Sequence, residues 1–169
     1  MSRVVLGLGA NLGDARETLA AAVRSLAADP AVRIVGVSGL WRTAPVGGPA
    51  QADYRNAVVV VDTSLPAPAV LALAHRLEDA AGRERTVRWG PRTLDVDVLA
   101  VDEVRSDDPQ LTLPHPRAHE RAFVLMPWAE VTPLWPLAAG DGPSRGVREW
   151  AADVSDQDVS LEGSGGWWR

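Results

Sequence analysis

Apolar residues recur along this chain at two different periods, and the order in which those periods alternate constrains the fold most. Residues 4–9 form a short apolar run closed by glycines, as a buried strand would. Asp14 is placed to cap a following helix in which Leu19, Ala22, Val23 and Leu26 recur at helical spacing, with Pro30 after its end. Residues 32–37 read as a second strand and the valine-rich residues 56–62 as a third, separated by a Gly/Pro-rich loop over residues 43–53. Ser64 and Pro66 introduce a second helix carrying Val70, Leu71, Leu73, Ala74 and Leu77, which runs to Gly82. Residues 94–101 give a fourth strand. The order β-α-β-β-α-β is that of an α+β, ferredoxin-like fold, an antiparallel sheet with helices packed on one face and the other free for a site.

After residue 102 the chain is loop-rich and punctuated by proline, with one short helix expected near residues 145–152. One domain over residues 1–162 is expected, followed by a Gly/Ser and Trp-Trp-Arg tail, residues 163–169, that is mobile or lightly docked.

The strand at 94–101 carries Asp95-Val96-Asp97. Residues two apart in a strand share a face, so both carboxylates project together and could hold Mg²⁺ beside a phosphate chain. Two acids on the wet side of a strand would look the same. Leu99 and Val101, expected on that face, argue that it is not simply solvated. Directly before it, residues 82–92 hold Arg83, Arg85, Arg88 and Arg92 with Trp89. A charge run is usually a solvated loop, but guanidinium forks beside metal-ready carboxylates favour phosphoryl chemistry. His115, held between Pro114 and Pro116, and Arg117 and Arg121 add polar groups, while Tyr54 and Phe123 are the only Tyr and Phe.

Composition excludes other classes. All 17 basic residues are Arg and the net charge is −5, a poor match to a nucleic-acid-binding surface. There is no cysteine, hence no disulfide, thiolate metal site or Cys nucleophile. No apolar stretch is long enough to span a membrane and the first residues lack a signal-peptide core, so a cytoplasmic location is expected. Gly7-Leu8-Gly9-Ala10-Asn11-Leu12-Gly13 looks like a dinucleotide fingerprint, but the second strand ends without the acid that reading requires. With no Lys there is no P-loop.

Taken together, residues 9–14, Trp41-Arg42-Thr43-Ala44-Pro45-Val46-Gly47, Tyr54-Arg55-Asn56, residues 82–97 and Leu113-Pro114-His115-Pro116-Arg117 with Arg121 and Phe123 resemble the 6-hydroxymethyl-7,8-dihydropterin pyrophosphokinase family. The resemblance covers roughly residues 4–135 and is most specific from Arg88 to Asp97. It implies transfer of pyrophosphate from ATP to the pterin in folate biosynthesis, with ATP as co-substrate and two Mg²⁺ ions. Asp95 and Asp97 would hold the metal, and Arg83 and Arg92 would stabilise charge on the transferring group. Glu78, Arg85, Arg88, Trp89, Arg92, Val98, Thr112, His115 and Arg121 would contact ATP. Thr43, Ala44, Val46, Tyr54, Asn56, Trp89 and Phe123 would form the pterin pocket, with the ring stacked between Tyr54 and Phe123 and its edge read by Asn56. The partners implied are these two small molecules, with no nucleic acid and no membrane, acting on a monomer. The sequence departs from the family at Ala10, Trp41, Ala44 and His75, the last standing at a nucleotide-contact position. Two rival readings are a two-metal nuclease or nucleotidyltransferase using the same acids, and a binding module without activity.

Overall fold

The computed structural model describes residues 1–45, 47–48, 50–82 and 93–169. Its principal sheet has six strands: β1 (Ser2–Ala10), β2 (Val32–Val37), β3 (Leu40–Thr43), β4 (Tyr54–Thr63), β5 (Asp95–Val101) and β10 (Val159–Gly163). The order is β10-β3-β4-β1-β5, with β2 also on β4, and every pairing is antiparallel. The four strands expected from periodicity are therefore β2, β4, β1 and β5 across the sheet, the ferredoxin-like arrangement. Two short hairpins stand apart, β6 (Ser106–Asp108) with β7 (Leu111–Leu113) and β8 (Pro136–Leu137) with β9 (Arg145–Gly146).

Helix α1 (Ala15–Ala28) starts where expected, the Asp14 carboxylate accepting from the Glu17 N–H at 3.1 Å. Helix α2 (Ala67–Ala80) follows Pro66 and ends before Gly82, whose φ of +71° suits a residue without Cβ. Leu19, Val23 and Leu26 of α1 and Val70, Ala74 and Leu77 of α2 cover one face of the sheet, meeting Val4, Leu6 and Leu8 of β1 and Val59 and Val61 of β4. At about 1.5–3 kcal/mol per buried aliphatic side chain, this layer is the main source of stability.

The opposite face is not left bare. Helices α3 (Ala122–Val131) and α4 (Val147–Asp153) pack there against Val5, Val58, Val60 and Leu99. The sequence conceals α3 because it is apolar nearly all round and has Pro127 inside it; burial of Val124, Leu125 and Trp128 keeps it helical. β3 is also additional to the expected strands. It continues the edge of β4 begun by β2 after a break at Ser38–Gly39, where the Ser38 hydroxyl accepts from the Val58 N–H at 2.9 Å.

Three expectations are corrected. Val101 does not share the acids' face. The register between β1 and β5 shifts at Val5/Leu6, so Leu99 is an extra residue opposite β1, and Val101 turns into the α1/α2 layer. Residues 163–169, expected to be mobile or lightly docked, are held: the Trp167 indole is 6% exposed in the α1/α2 core and donates to the Ser38 carbonyl at 2.8 Å. Arg24 also donates to the Trp168 carbonyl at 3.0 Å. The domain boundary expected at residue 162 falls inside β10.

Candidate active site

Strand register assembles the candidate site. Cross-strand partners lie on the same face of a sheet, and Trp41, Asn56, Gly9 and Asp95 form one such row across β3, β4, β1 and β5. The adjoining row runs from Val58 through Gly7 to Asp97, and Thr43 faces Tyr54 at the open end. Val96 and Val98 point the other way into the α1/α2 core, which fixes Asp95 and Asp97 on the far face. With strands about 4.8 Å apart, Asn56 stands roughly 10 Å from Asp95, two strands away. The glycines keep this floor low. A Cβ on Gly9 would come 3.1 Å from the Asn56 Oδ1, and one on Gly7 would come 3.2 Å from the Leu99 side chain.

Asn56 is 5% exposed, and its Nδ2 has no hydrogen-bond partner among the described residues. A buried amide donor without a partner costs about 1–3 kcal/mol, an expense recovered when something binds it. Tyr54, one residue pair along β4, is half-buried, its hydroxyl 3.5 Å from Gln51 Oε1. Gln51 also accepts from Asn11 Nδ2 at 2.8 Å, and the same nitrogen donates to the Ala52 carbonyl at 2.9 Å. Asn11 thus ties Gln51 and Ala52, just before β4, to the end of β1. Sequence reasoning missed this role, although the residue sits in the Gly9–Gly13 motif.

The second wall comes from the chain after β7. His115 is fixed by its backbone N–H on the Leu99 carbonyl at 2.8 Å, and its Nδ1 accepts from the Arg117 N–H at 3.2 Å. That bond leaves Nε2 to carry the proton of a neutral ring. Burial pushes the His115 pKa below its ordinary value, Asp97 pulls it up, and Arg121 and Arg117 push it down again. Burial also lowers the Arg121 pKa, with Arg117 in the same direction and Asp97, Glu120 and Asp95 opposing. Arg121 therefore lies within the field of both carboxylates, and His115 within that of Asp97. The Arg121 guanidinium carbon is 5.5 Å from the centroid of the half-buried Phe123 ring, at the start of α3.

Other expected positions fall differently. The Glu78 carboxylate is buried on α2 and accepts from the Val96 N–H at 3.0 Å, steadying the strand between the two acids. Val98 is buried in the α1/α2 core, and the Thr112 hydroxyl donates to the Asp108 carbonyl at 3.0 Å. Ala44 and His75 are exposed. Val46, Arg83, Arg85, Arg88, Trp89 and Arg92 lie outside the described residues. Two shallow cavities, of about 270 and about 230 Å³, are not lined by either acid.

Among the described residues no cluster of three or more His, Cys, Asp or Glu could hold a metal. Two carboxylates alone are a thin donor set for Ca²⁺ or Zn²⁺, but they fit Mg²⁺, which keeps several waters and takes substrate phosphate oxygens. The described face thus carries one buried amide on the same side of the sheet as two carboxylates, with an imidazole and an Arg beside them.

Residues 5–133 match the family of 7,8-dihydro-6-hydroxymethylpterin-pyrophosphokinase (HPPK). A 2-amino-4-hydroxy-6-hydroxymethyldihydropteridine pyrophosphokinase of Methylorubrum extorquens is 47% identical over 133 residues, spanning 79% of this chain and 84% of its own. Proteins of the same name from Bacillus subtilis and Mycobacterium bovis are each 40% identical, over 147 and 168 residues, spanning 86% and 94% of this chain and 88% and 87% of their own. In fold the chain is similar to a crystal structure of Plasmodium falciparum HPPK-DHPS, a triple mutant with SDX-DHP, at a TM-score of 0.65 and 13% identity over 90% of its length. An HPPK-DHPS in complex with substrates gives 0.67 at 11% over 92%. The chain spans 44% and 45% of those two longer proteins. By sequence and by fold, the chain belongs to the 7,8-dihydro-6-hydroxymethylpterin-pyrophosphokinase family.

Proposed function

We propose that this chain transfers the pyrophosphoryl group of ATP to 6-hydroxymethyl-7,8-dihydropterin, giving the pterin diphosphate and AMP in folate biosynthesis. The observation that supports it best is the register row in which Asn56, whose Nδ2 has no hydrogen-bond partner among the described residues, stands two strands from Asp95. In this reading the amide hydrogen-bonds the edge of the pterin, whose ring lies between Tyr54 and Phe123. Thr43, Ala44, Val46 and Trp89 complete the pocket.

The pterin hydroxymethyl oxygen then attacks the β-phosphorus of ATP. Its O–H bond breaks and the proton passes to solvent, the new O–Pβ bond forms as the Pβ–O bond to the α-phosphate breaks, and the bridge oxygen leaves with AMP. The chain contributes position and charge more than covalent chemistry. His115, neutral and with Nε2–H free to donate, and Arg121 hold phosphate oxygens. Arg83 and Arg92 stabilise the charge on the group in flight, and Glu78, Arg85, Arg88, Val98 and Thr112 border the nucleotide, with Glu78 bracing the backbone of β5. Asp95 and Asp97 would hold Mg²⁺, two ions in this reading, whose chemistry is to neutralise triphosphate charge and polarise its oxygens. A monomer working in the cytoplasm on these two small molecules completes the proposal. No helix among the described residues is long and apolar enough to cross a membrane.

The test is to supply ATP, Mg²⁺ and the hydroxymethyl-dihydropterin and separate the nucleotides. AMP that appears only with the pterin supports the reading. Bound pterin without turnover would instead indicate a binding module, and cleavage of an oligonucleotide would favour the nuclease.

A further inference from the structure

In the pterin-slot reading the two walls belong to different parts of the chain, β3 and β4 on one side and the start of α3 on the other, and a third segment bonds to both parts. Gln157 lies just before β10. Its Oε1 accepts from the Ala122 N–H at 2.9 Å and its Nε2 donates to the Glu120 carbonyl at 2.8 Å. These bonds grip the backbone on both sides of Arg121, two residues before Phe123. They also supply the cap that α3 lacks, since no local side chain caps its first turn. The next residue, Asp158, gives its carbonyl to the Thr43 hydroxyl at 3.1 Å, and Val159 pairs with Thr43 as β10 begins. Two consecutive residues therefore hold the Phe123 wall and the Thr43–Tyr54 wall.

The rest of the segment keeps that junction in place. β10 pairs along β3, and a Cβ on Gly39 would meet Leu161 Cδ1 at 2.6 Å and the Gly163 carbonyl at 2.7 Å. The Trp167 indole is anchored on Ser38. At the other end of α3, Glu130 accepts from the Trp41 indole at 2.5 Å and from the Gly39 N–H at 3.1 Å. The segment is thus fixed to β3 along its length and hydrogen-bonds the start of α3 through the Gln157 side chain.

We infer that Gln157 is a positioning residue, setting the gap between the Tyr54 and Phe123 walls and thereby the affinity for the pterin. The inference rests on the pterin-slot reading above. The experiment compares Gln157→Ala and Gln157→Glu with the parent protein in steady-state kinetics and in direct binding of 6-hydroxymethyl-7,8-dihydropterin, alongside thermal unfolding. Gln157→Ala should raise the KM for pterin by about 5–20-fold, with kcat at saturating pterin within about threefold and the KM for ATP changed much less. Gln157→Glu keeps the acceptor for Ala122 and should fall between. A lower unfolding temperature with the pterin KM within twofold of the parent would make the role purely structural and overturn the inference. Equal rises in the KM for pterin and for ATP would overturn it too. If the parent protein bound no pterin, the slot itself would be refuted and the inference with it.

Discussion

Replacing Gly9 by alanine should separate the stability of this protein from its recognition of the pterin. Gly9 lies in β1 between Asn56 and Asp95 in the register row. In extended backbone alanine is normally the better residue, by about 0.4–1 kcal/mol, because glycine loses more freedom on folding. The new Cβ, however, would sit 3.1 Å from the Asn56 Oδ1, closer than an ordinary van der Waals contact. The amide must yield by a few tenths of an ångström, and it is 5% exposed with little room to do so. Hydrogen bonds of about 2.9 Å to a heterocycle edge would then lengthen past about 3.2 Å, and two of them at roughly 1 kcal/mol each would weaken together. The expected result is a loss of pterin affinity of about 5–30-fold with ATP affinity unchanged. Stability, relieved of the glycine and strained by the contact, should stay within about 1 kcal/mol of the parent. Pterin titration and thermal unfolding on the same preparation measure both. Unchanged pterin affinity in a protein as stable as the parent would refute the argument, because Asn56 would not be reading the ring.

Three further outcomes follow from particular contacts. Trp167→Ala removes a buried indole and its bond to Ser38, so it should cost about 3–5 kcal/mol and lower the unfolding midpoint by about 6–20 °C; a drop under about 3 °C would mean the tail is not packed as described. Asp97→Asn should depress turnover by about 10² or more while the protein melts near the parent temperature, and near-normal turnover in a Mg²⁺ titration would remove Asp97 from the metal. Asp62 accepts from Arg3 at 2.9 Å and also pairs with Arg33, and its pKa lies below the ordinary carboxylate value, chiefly because of the Arg3 hydrogen bond. Its folded pKa is depressed, so the stability it adds is present above about pH 4 and is lost as pH falls through the folded value. Denaturant unfolding of Asp62→Asn should show a deficit at pH 7 that shrinks below about pH 4; a deficit independent of pH would contradict the pairing.

The parts of the fold written in local pattern were legible. β2 lies at the expected residues 32–37, and α1 opens on the expected Asp14 cap. What alternation could not reveal was the bulge in β5, because an extra residue at Leu99 leaves the run of apolar residues unbroken while turning Val101 to the other face. α3 was hidden for the opposite reason: Pro127 reads as a break, and a helix apolar on every side shows no stripe. Trp167 was obscured by the glycines and serine before it, which suggest mobility, whereas a single indole has enough apolar surface to anchor the segment. In the candidate site, i, i+2 spacing correctly put Asp95 and Asp97 on a common face opposite α1 and α2. The lack of a partner for Asn56 Nδ2 among the described residues depends on what surrounds it in space, and so does the grip of Gln157 on α3 across 35 residues. Neither leaves a trace in spacing.

The most direct test of the central claim is to follow the phosphorus atoms. ATP radiolabelled at its γ-phosphorus is incubated with the protein, Mg²⁺ and 6-hydroxymethyl-7,8-dihydropterin, and the products are separated. Attack at the β-phosphorus predicts that the label leaves on the pterin and that the adenosine appears as AMP. Label on the pterin accompanied by ADP would mean attack at the γ-phosphorus, and label released as inorganic phosphate would mean hydrolysis; either result would contradict the account.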